Sequence, residues 1–258
     1  MSLLERIVSG QLQDAAFALI VRDHGSGPRL LEVFAGKARR CESFVDLPDT
    51  GSAGEGVLVL IPYAQLRERG FACIDDGERL CAIEIHERET HVLDDVLASL
   101  PEAALHLCEG AFDMEDEAYE EAVRRVIADE IGSGEGANFV LKRTYRARLH
   151  DYSLTTALAG FRRLAVQESG AYWTFLVHTG QRSFIGASPE RHVSVEDGVA
   201  TMNPISGTYR YPSTGPTLDG VLDFLTNEKE VDELYMVVDE ELKMMAHFCP
   251  GGGTVRGP

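Results

Sequence analysis

Along the chain, apolar positions come first in short runs and later at helical spacing. Ala15 to Val21 and Arg29 to Ala35 are apolar runs separated by Asp23-His24-Gly25-Ser26-Gly27-Pro28, which predicts two strands joined by a turn. Val57 to Ile61 predicts another strand after a flexible Gly51 to Gly56, and Ala82 to His86 with His91 to Leu93 a strand pair. From Asp94 the pattern turns helical, and Pro101 is expected to restart it. Asp116 to Ile131 places Tyr119, Ala122, Val123, Val126 and Ile127 on one face and meets Gly132 as its stop, so a long acidic helix is expected. Ala137 to Arg148 reads as a strand, Ser153 to Glu168 as a capped amphipathic helix, and Ala171 to His178 as a nearly continuous apolar, central strand.

The stretch from Arg182 to Met245 carries the most chemistry. Ser183 to Ser188 is a short strand that stops at Ser-Pro, so Glu190 is presented at a strand end. His192 to Val195 and Val199 to Met202 alternate across Glu196-Asp197-Gly198, a strong hairpin signal. The hairpin leads into Asn203-Pro204-Ile205-Ser206-Gly207-Thr208, a loop able to aim N–H groups and hydroxyls at a carboxylate. A helix is then expected from Glu228 to Ala246, with Val231, Leu234, Val238, Leu242 and Met245 as its apolar stripe. Asp232, Asp239 and Lys243 lie on one flank of that stripe. Glu230, Glu233, Glu240 and Glu241 gather on the other, with Glu230 and Glu241 nearest the buried side. Four carboxylates repel one another, and a divalent cation would relieve them; hard oxygen donors favour Mg²⁺ over zinc.

Composition narrows the partners. The 258 residues are 44% hydrophobic, enough for one large domain or two small ones. Lys and Arg number 24 against 42 Asp and Glu, and the net charge of −18 argues against nucleic acid or an anionic membrane as partner. No apolar run approaches a membrane span, and Met1-Ser2-Leu3-Leu4-Glu5-Arg6 lacks the basic start of a signal peptide, so the cytoplasm is the expected compartment. Cys41, Cys73, Cys81, Cys108 and Cys249 have no C-x-x-C spacing and read as reduced thiols. His86 and His91 sit among charges that read as a solvated sheet face and turn. Gly132-Ser133-Gly134-Glu135-Gly136 lacks the Lys-Ser/Thr ending of a phosphate loop and follows a helix. A domain boundary is expected near Gly110 to Asp113, giving regions 1–112 and 113–258.

Gly186-Ala187-Ser188-Pro189-Glu190, Pro204-Ile205-Ser206-Gly207-Thr208 and Lys229-Glu230-Val231-Asp232-Glu233 resemble, in order and spacing, the motifs of the chorismate-utilising enzymes. These include anthranilate synthase component I, isochorismate synthases and salicylate synthases. Met202 to Pro212 and Asp232 to Met245 are most similar to the phenazine-pathway branch, the 2-amino-2-desoxyisochorismate synthases. The resemblance implies an α+β fold of antiparallel sheets with outer helices. It also implies amination of chorismate at C2 with loss of the C4 hydroxyl, Glu190 as general acid, and Ser206, Gly207 and Thr208 as substrate donors. Glu233, supported by Glu230, would hold Mg²⁺. The implied partners are chorismate and a glutamine amidotransferase domain or subunit as ammonia source, in an enzyme that is a homodimer when complete.

In this family the strand read from Ala137 carries a residue facing the attacked carbon, lysine in water-using members and a neutral amide in ammonia-using ones; Asn138 falls at the amide's place. Lys142 would stand about 13 Å further along that strand, too far to substitute. Where feedback-inhibited members carry a Leu-Leu-Glu-Ser segment lining a tryptophan pocket, this chain has Leu19-Ile20-Val21-Arg22, so tryptophan inhibition is not expected. Plainer roles stay open. Asn138 could satisfy a strand end, Glu190 could pair with Arg191 or Arg210, and Asn227-Glu228-Lys229-Glu230 fits a capping box in which Glu230 satisfies the Asn227 N–H. Anthranilate synthase component I, which also expels pyruvate, and a noncatalytic or partner-dependent fragment are the alternative functions. Gly251 to Pro258 reads as a turn toward a further strand, so the chain is expected to be an N-terminal portion, inactive by itself.

Overall fold

The computed structural model describes residues 1–12, 14–22, 27–49 and 56–256. Most of the turn expected at Asp23 to Pro28 and most of the loop at Gly51 to Gly56 lie outside the described residues. Along the chain run α1 (Leu3–Val8), β1 (Ala16–Arg22), β2 (Leu30–Cys41), β3 (Val57–Leu60), β4 (Leu80–Val92), α2 (Leu93–Val96), β5 (Leu107–Phe112) and α3 (Asp116–Arg125). There follow β6 (Tyr145–Leu149), α4 (Leu154–Gln167), β7 (Trp173–His178), β8 (Ser183–Ser188), β9 (Arg191–Glu196), β10 (Val199–Asn203), α5 (Leu218–Leu225) and α6 (Glu228–Phe248). The fold is α+β with antiparallel sheets, as the resemblance implied. Two compact units share the chain: Met1–His106 with Leu149–Pro189, and Leu107–Arg148 with Glu190–Pro258.

The first unit is built on an antiparallel sheet in the order β3-β4-β2-β1-β7-β8. β1 lies inside it because its residues are apolar toward both faces. Phe17, Leu19 and Val21 pack with Leu31, Val33 and Leu176 beneath Leu3 and Ile7 of α1, Leu93 of α2, and Leu158 and Phe161 of α4. Ala16, Ala18 and Ile20 face the other way, into a cluster with Phe34, Ile83, Ile85 and Val177 whose members all come from strands. A groove of about 710 Å³ on that face is lined by Leu58, Leu60, Trp173, Phe175 and Phe184 among others. Beside it the buried Glu32 is held between Arg22 and Arg88, and the Arg22 guanidinium lies 4.8 Å from the Trp173 ring centroid. Arg22, where the tryptophan-pocket segment differs, is therefore committed to Glu32.

Several elements differ from the expectation. β4 is one strand of 13 residues rather than a pair, since it follows β2 through a bulge at Ala35/Gly36. A side chain at Gly36 would overlap the Glu84 carbonyl, so the bulge needs glycine. Charge in the middle of β4 is used rather than turned away: the Glu89 carboxylate accepts the Leu3 N–H at 2.6 Å and the Leu4 N–H at 3.3 Å, holding the start of α1. Partial burial opposes the Glu89 charge, but bonds from Leu3, His91 and Leu4 outweigh it and hold its carboxyl below the usual range. Pro101 starts no helix; it precedes an irregular segment and then β5, which the patterning missed. β7 is next to the edge strand β8 rather than at the centre.

In the second unit, β9 and β10 pair across Asp197 and Gly198, both with positive φ (51° and 76°), as an Asp-Gly hairpin turn requires. α3 continues as a wider-wound turn from Val126 to Ile131 and stops at Gly132. β6 is shorter than expected. β5 ends at Phe112, and Asp113 then accepts the Thr144 N–H on its side chain at 2.9 Å, leaving residues 137–144 no strand to pair with. All five cysteines are free, Cys41 buried and the others half-buried. Among the described residues no helix is long and apolar enough to cross a membrane.

Phe161, fully buried under the sheet, is expected to lose about 3–5 kcal/mol on Phe161→Ala in urea unfolding of the full-length protein. Val195→Ala, at a position 68% exposed, is expected to stay within about 0.5 kcal/mol. Equal effects would show that α4 does not clamp the core.

Candidate active site

The loop 204–208 meets the start of α6 at one glycine. A Cβ on Gly207 would overlap Glu230 Oε2 and stand 3.1 Å from Phe224 Cζ, so only glycine admits this approach. Tyr209 anchors the loop on α5, its ring 5.7 Å from that of Phe224. Ser206 and Gly207 are half-buried and Thr208 is exposed.

Glu230 does not act as a capping-box partner. Asn227 Oδ1 accepts the Glu230 N–H at 3.4 Å, but the Asn227 N–H goes to the Phe224 carbonyl at 3.2 Å, which frees the Glu230 carboxylate to point elsewhere. Its Oε2 is buried and has no hydrogen-bond partner among the described residues. Its Oε1 accepts from Lys229 at 3.0 Å, and the same ammonium pairs with Glu233 Oε2 at 2.7 Å. Those bonds, Glu233's first and Glu230's second, push the Lys229 pKa up. One exposed cation thus draws together the two carboxylates singled out for metal.

A second neighbourhood lies further along α6. Glu241 is about three turns beyond Glu230 and on the same edge of the helix. Its Oε2 is likewise buried without a partner among the described residues. Burial pushes the Glu241 carboxyl up from its ordinary value, with His192 opposing the rise and Glu190 adding to it. Glu190 itself is half-buried and directly precedes β9. There Arg191 Nε donates to Asn203 Oδ1 at 2.6 Å across the hairpin.

Asn138 stands apart from this frame. It is exposed on the irregular segment 137–144 rather than on a strand, because Tyr119 Oη donates to the Leu141 carbonyl at 3.0 Å and Phe139 folds over Gly136. The strand spacing used to place Lys142 at a distance therefore does not apply. The α6 stripe also differs: none of its side chains is fully buried, and Leu234 is 46% exposed.

Glu230 and Glu233 fit a magnesium ion in kind. They are hard oxygen donors, one with an unpartnered buried oxygen, able to fill part of an octahedral shell. Among the described residues no three His, Cys, Asp or Glu side chains converge as a metal cluster.

Residues 72–256 match the family model described as chorismate binding enzyme. The chain belongs to this family. The matched span includes every candidate residue above. The chain is 53% identical over 260 residues to "Anthranilate synthase, phenazine specific" of Pseudomonas fluorescens, covering 99% of this chain and 40% of that protein. It is 52% identical, over the same shares, to the protein of that name from Pseudomonas chlororaphis. It is 37% identical over 128 residues to "Anthranilate synthase component 1" of Thermococcus kodakarensis, covering 48% of this chain and 28% of that one. The chain thus spans about 40% of the length of the first two relatives.

Sequence reasoning put Glu241 at the buried edge of its helix but gave it no role, and read His192 only as a strand residue. The eleven-residue offset from Glu230, which returns to the same helix edge, was the available signal.

The raised Glu241 pKa has a definite consequence for stability. Its proton is held more tightly in the fold than in the unfolded chain, so its charge is destabilising above the raised pKa and neutral in effect below the ordinary one, about 4.3. Glu241→Gln is therefore expected to raise the melting temperature of the full-length protein at neutral pH, with the gain vanishing as pH falls through that window. A constant or absent gain would contradict it.

Proposed function

We propose that the full-length protein aminates chorismate at C2 with loss of the C4 hydroxyl, giving 2-amino-2-desoxyisochorismate, with ammonia supplied by a glutamine amidotransferase. The reading is carried by the approach of the Glu230 carboxylate to Gly207, which joins two family motifs in one place. The identity to the two phenazine-specific relatives supports it.

In this reading the Ser206, Gly207 and Thr208 loop donates hydrogen bonds to the substrate, and Glu190 protonates the departing hydroxyl, which leaves as water. Ammonia attacks C2 through its own lone pair and sheds a proton, so it needs orientation rather than a base; Asn138 can orient but cannot deprotonate. Glu233, with Glu230 beside it, would hold the Mg²⁺ that the family implies, whose charge would clamp the ring carboxylate. Lys229 balances those two carboxylates until then.

The names of the relatives favour a second reading, anthranilate synthase, in which pyruvate is also expelled. Mass analysis after incubating the full-length protein with chorismate, Mg²⁺ and ammonium separates the two. The aminated product retaining its enolpyruvyl group is expected. Isochorismate as main product would overturn the choice of nucleophile, and anthranilate with stoichiometric pyruvate would select the second reading.

The metal assignment has its own test. By calorimetry on the full-length protein, Glu233→Gln is expected to weaken Mg²⁺ binding by about tenfold or more. Glu230→Gln should weaken it less. Unchanged Mg²⁺ affinity in both variants would remove these carboxylates from the metal site.

A further inference from the structure

Two lysines on α6 each hold a pair of carboxylates, and the pairs differ in what they leave unsatisfied. Lys243 Nζ sits 2.7 Å from both Asp239 and Glu240, whose side chains are largely exposed to water. Lys229 Nζ sits 3.0 Å from Glu230 Oε1 and 2.7 Å from Glu233 Oε2, on side chains only 20% and 27% exposed. Glu230 keeps a buried Oε2 with no hydrogen-bond partner among the described residues, on the side where a Cβ at Gly207 would overlap it. Lys229 takes the other oxygen and leaves this one unserved. It is also poorly placed as a permanent partner. It lies in the first turn of α6, at the positive end of the helix dipole, and precedes Glu233 by four residues, the weaker order for such a pair. Its hold is that of an exposed ion pair, readily given up.

We propose that Lys229 is a placeholder for the divalent cation: it holds Glu230 and Glu233 together in the absence of metal and gives them up when Mg²⁺ binds. The proposal rests on the reading of these two carboxylates as Mg²⁺ ligands. An ammonium and a divalent cation on one pair of carboxylates repel each other at a few ångströms, so the pair holds one or the other. Left without a cation, the two carboxylates would repel and turn toward water; with Lys229 they stay gathered beside Gly207. The lysine thus lowers metal affinity and raises order, since two ion pairs must break on binding but the carboxylates are already in place. Its flexible four-carbon stem lets the ammonium withdraw without movement of the α6 backbone.

The test is calorimetric titration of the full-length protein with magnesium chloride, alongside lysine acetylation mapped by mass spectrometry. Lys229→Gln is expected to bind Mg²⁺ about threefold to tenfold more tightly than the wild type, the worth of two exposed ion pairs. Lys229→Arg, which keeps the charge, is expected to bind no more tightly than the wild type. Lys243→Gln removes the same charge from the same helix about 21 Å further on, more than two Debye lengths at physiological salt, and is expected to leave the affinity unchanged. Equal gains in Lys229→Gln and Lys243→Gln would reduce the effect to net charge and overturn the proposal. In the wild type, Mg²⁺ is expected to raise acetylation of Lys229, with half the effect at the calorimetric Kd, and to leave that of Lys243 as it was. A lysine with a merely structural role would show no such rise. Mg²⁺ bound while Lys229 acetylation and the Lys229→Gln affinity both stay unmoved would overturn the placeholder and leave the metal reading standing. Absence of Mg²⁺ binding in both the wild type and Lys229→Gln would overturn the metal reading, and the proposal with it.

Discussion

A carboxylate oxygen buried without a partner is among the costlier features a fold can carry, and among the described residues one edge of α6 carries two, Glu230 Oε2 and Glu241 Oε2. Much of the second unit is arranged around them. Gly207 lets a loop close on the first, and Lys229 offsets its charge, while burial pushes the second carboxyl up. Structures retain such uncompensated groups where chemistry uses them, and pay in stability elsewhere.

That payment is visible in the division between the units. The fully buried apolar side chains all belong to the first, where three helices cover one face of the sheet. The second has none among the described residues; its elements are held by turn chemistry, caps and ion pairs, with Leu222 and Tyr235 half or more exposed to solvent. The packed core and the candidate site residues thus belong to different parts of the chain.

The sequence made most of this legible where local signals and burial agreed. β1, α4, the Asp-Gly hairpin and α6 begin or end within a residue or two of expectation, since caps, turn residues and apolar period all pointed one way. It misled where a side chain substituted for a ladder partner. Asp113 capping Thr144 and Tyr119 holding Leu141 cut short the strand around Asn138, and no period in the sequence announces such long-range bonds. Glu89 reads as a turn charge yet caps a helix that is 81 residues or more away along the chain. At the site, three motifs were readable one by one. The meeting of the second with the third was not, because the approach of Gly207 to Glu230 depends on α5 lying between them in sequence and beneath them in space.

The chain passes between its two units three times, after His106, Arg148 and Pro189. No single cut can therefore release either unit whole and by itself: cleavage at any one crossing divides at least one of the units between the two pieces. Neither unit is a module that recombination could move by its ends, and a graft of the chemistry onto another scaffold would have to carry two separate segments, Leu107–Arg148 and the stretch beginning at Glu190.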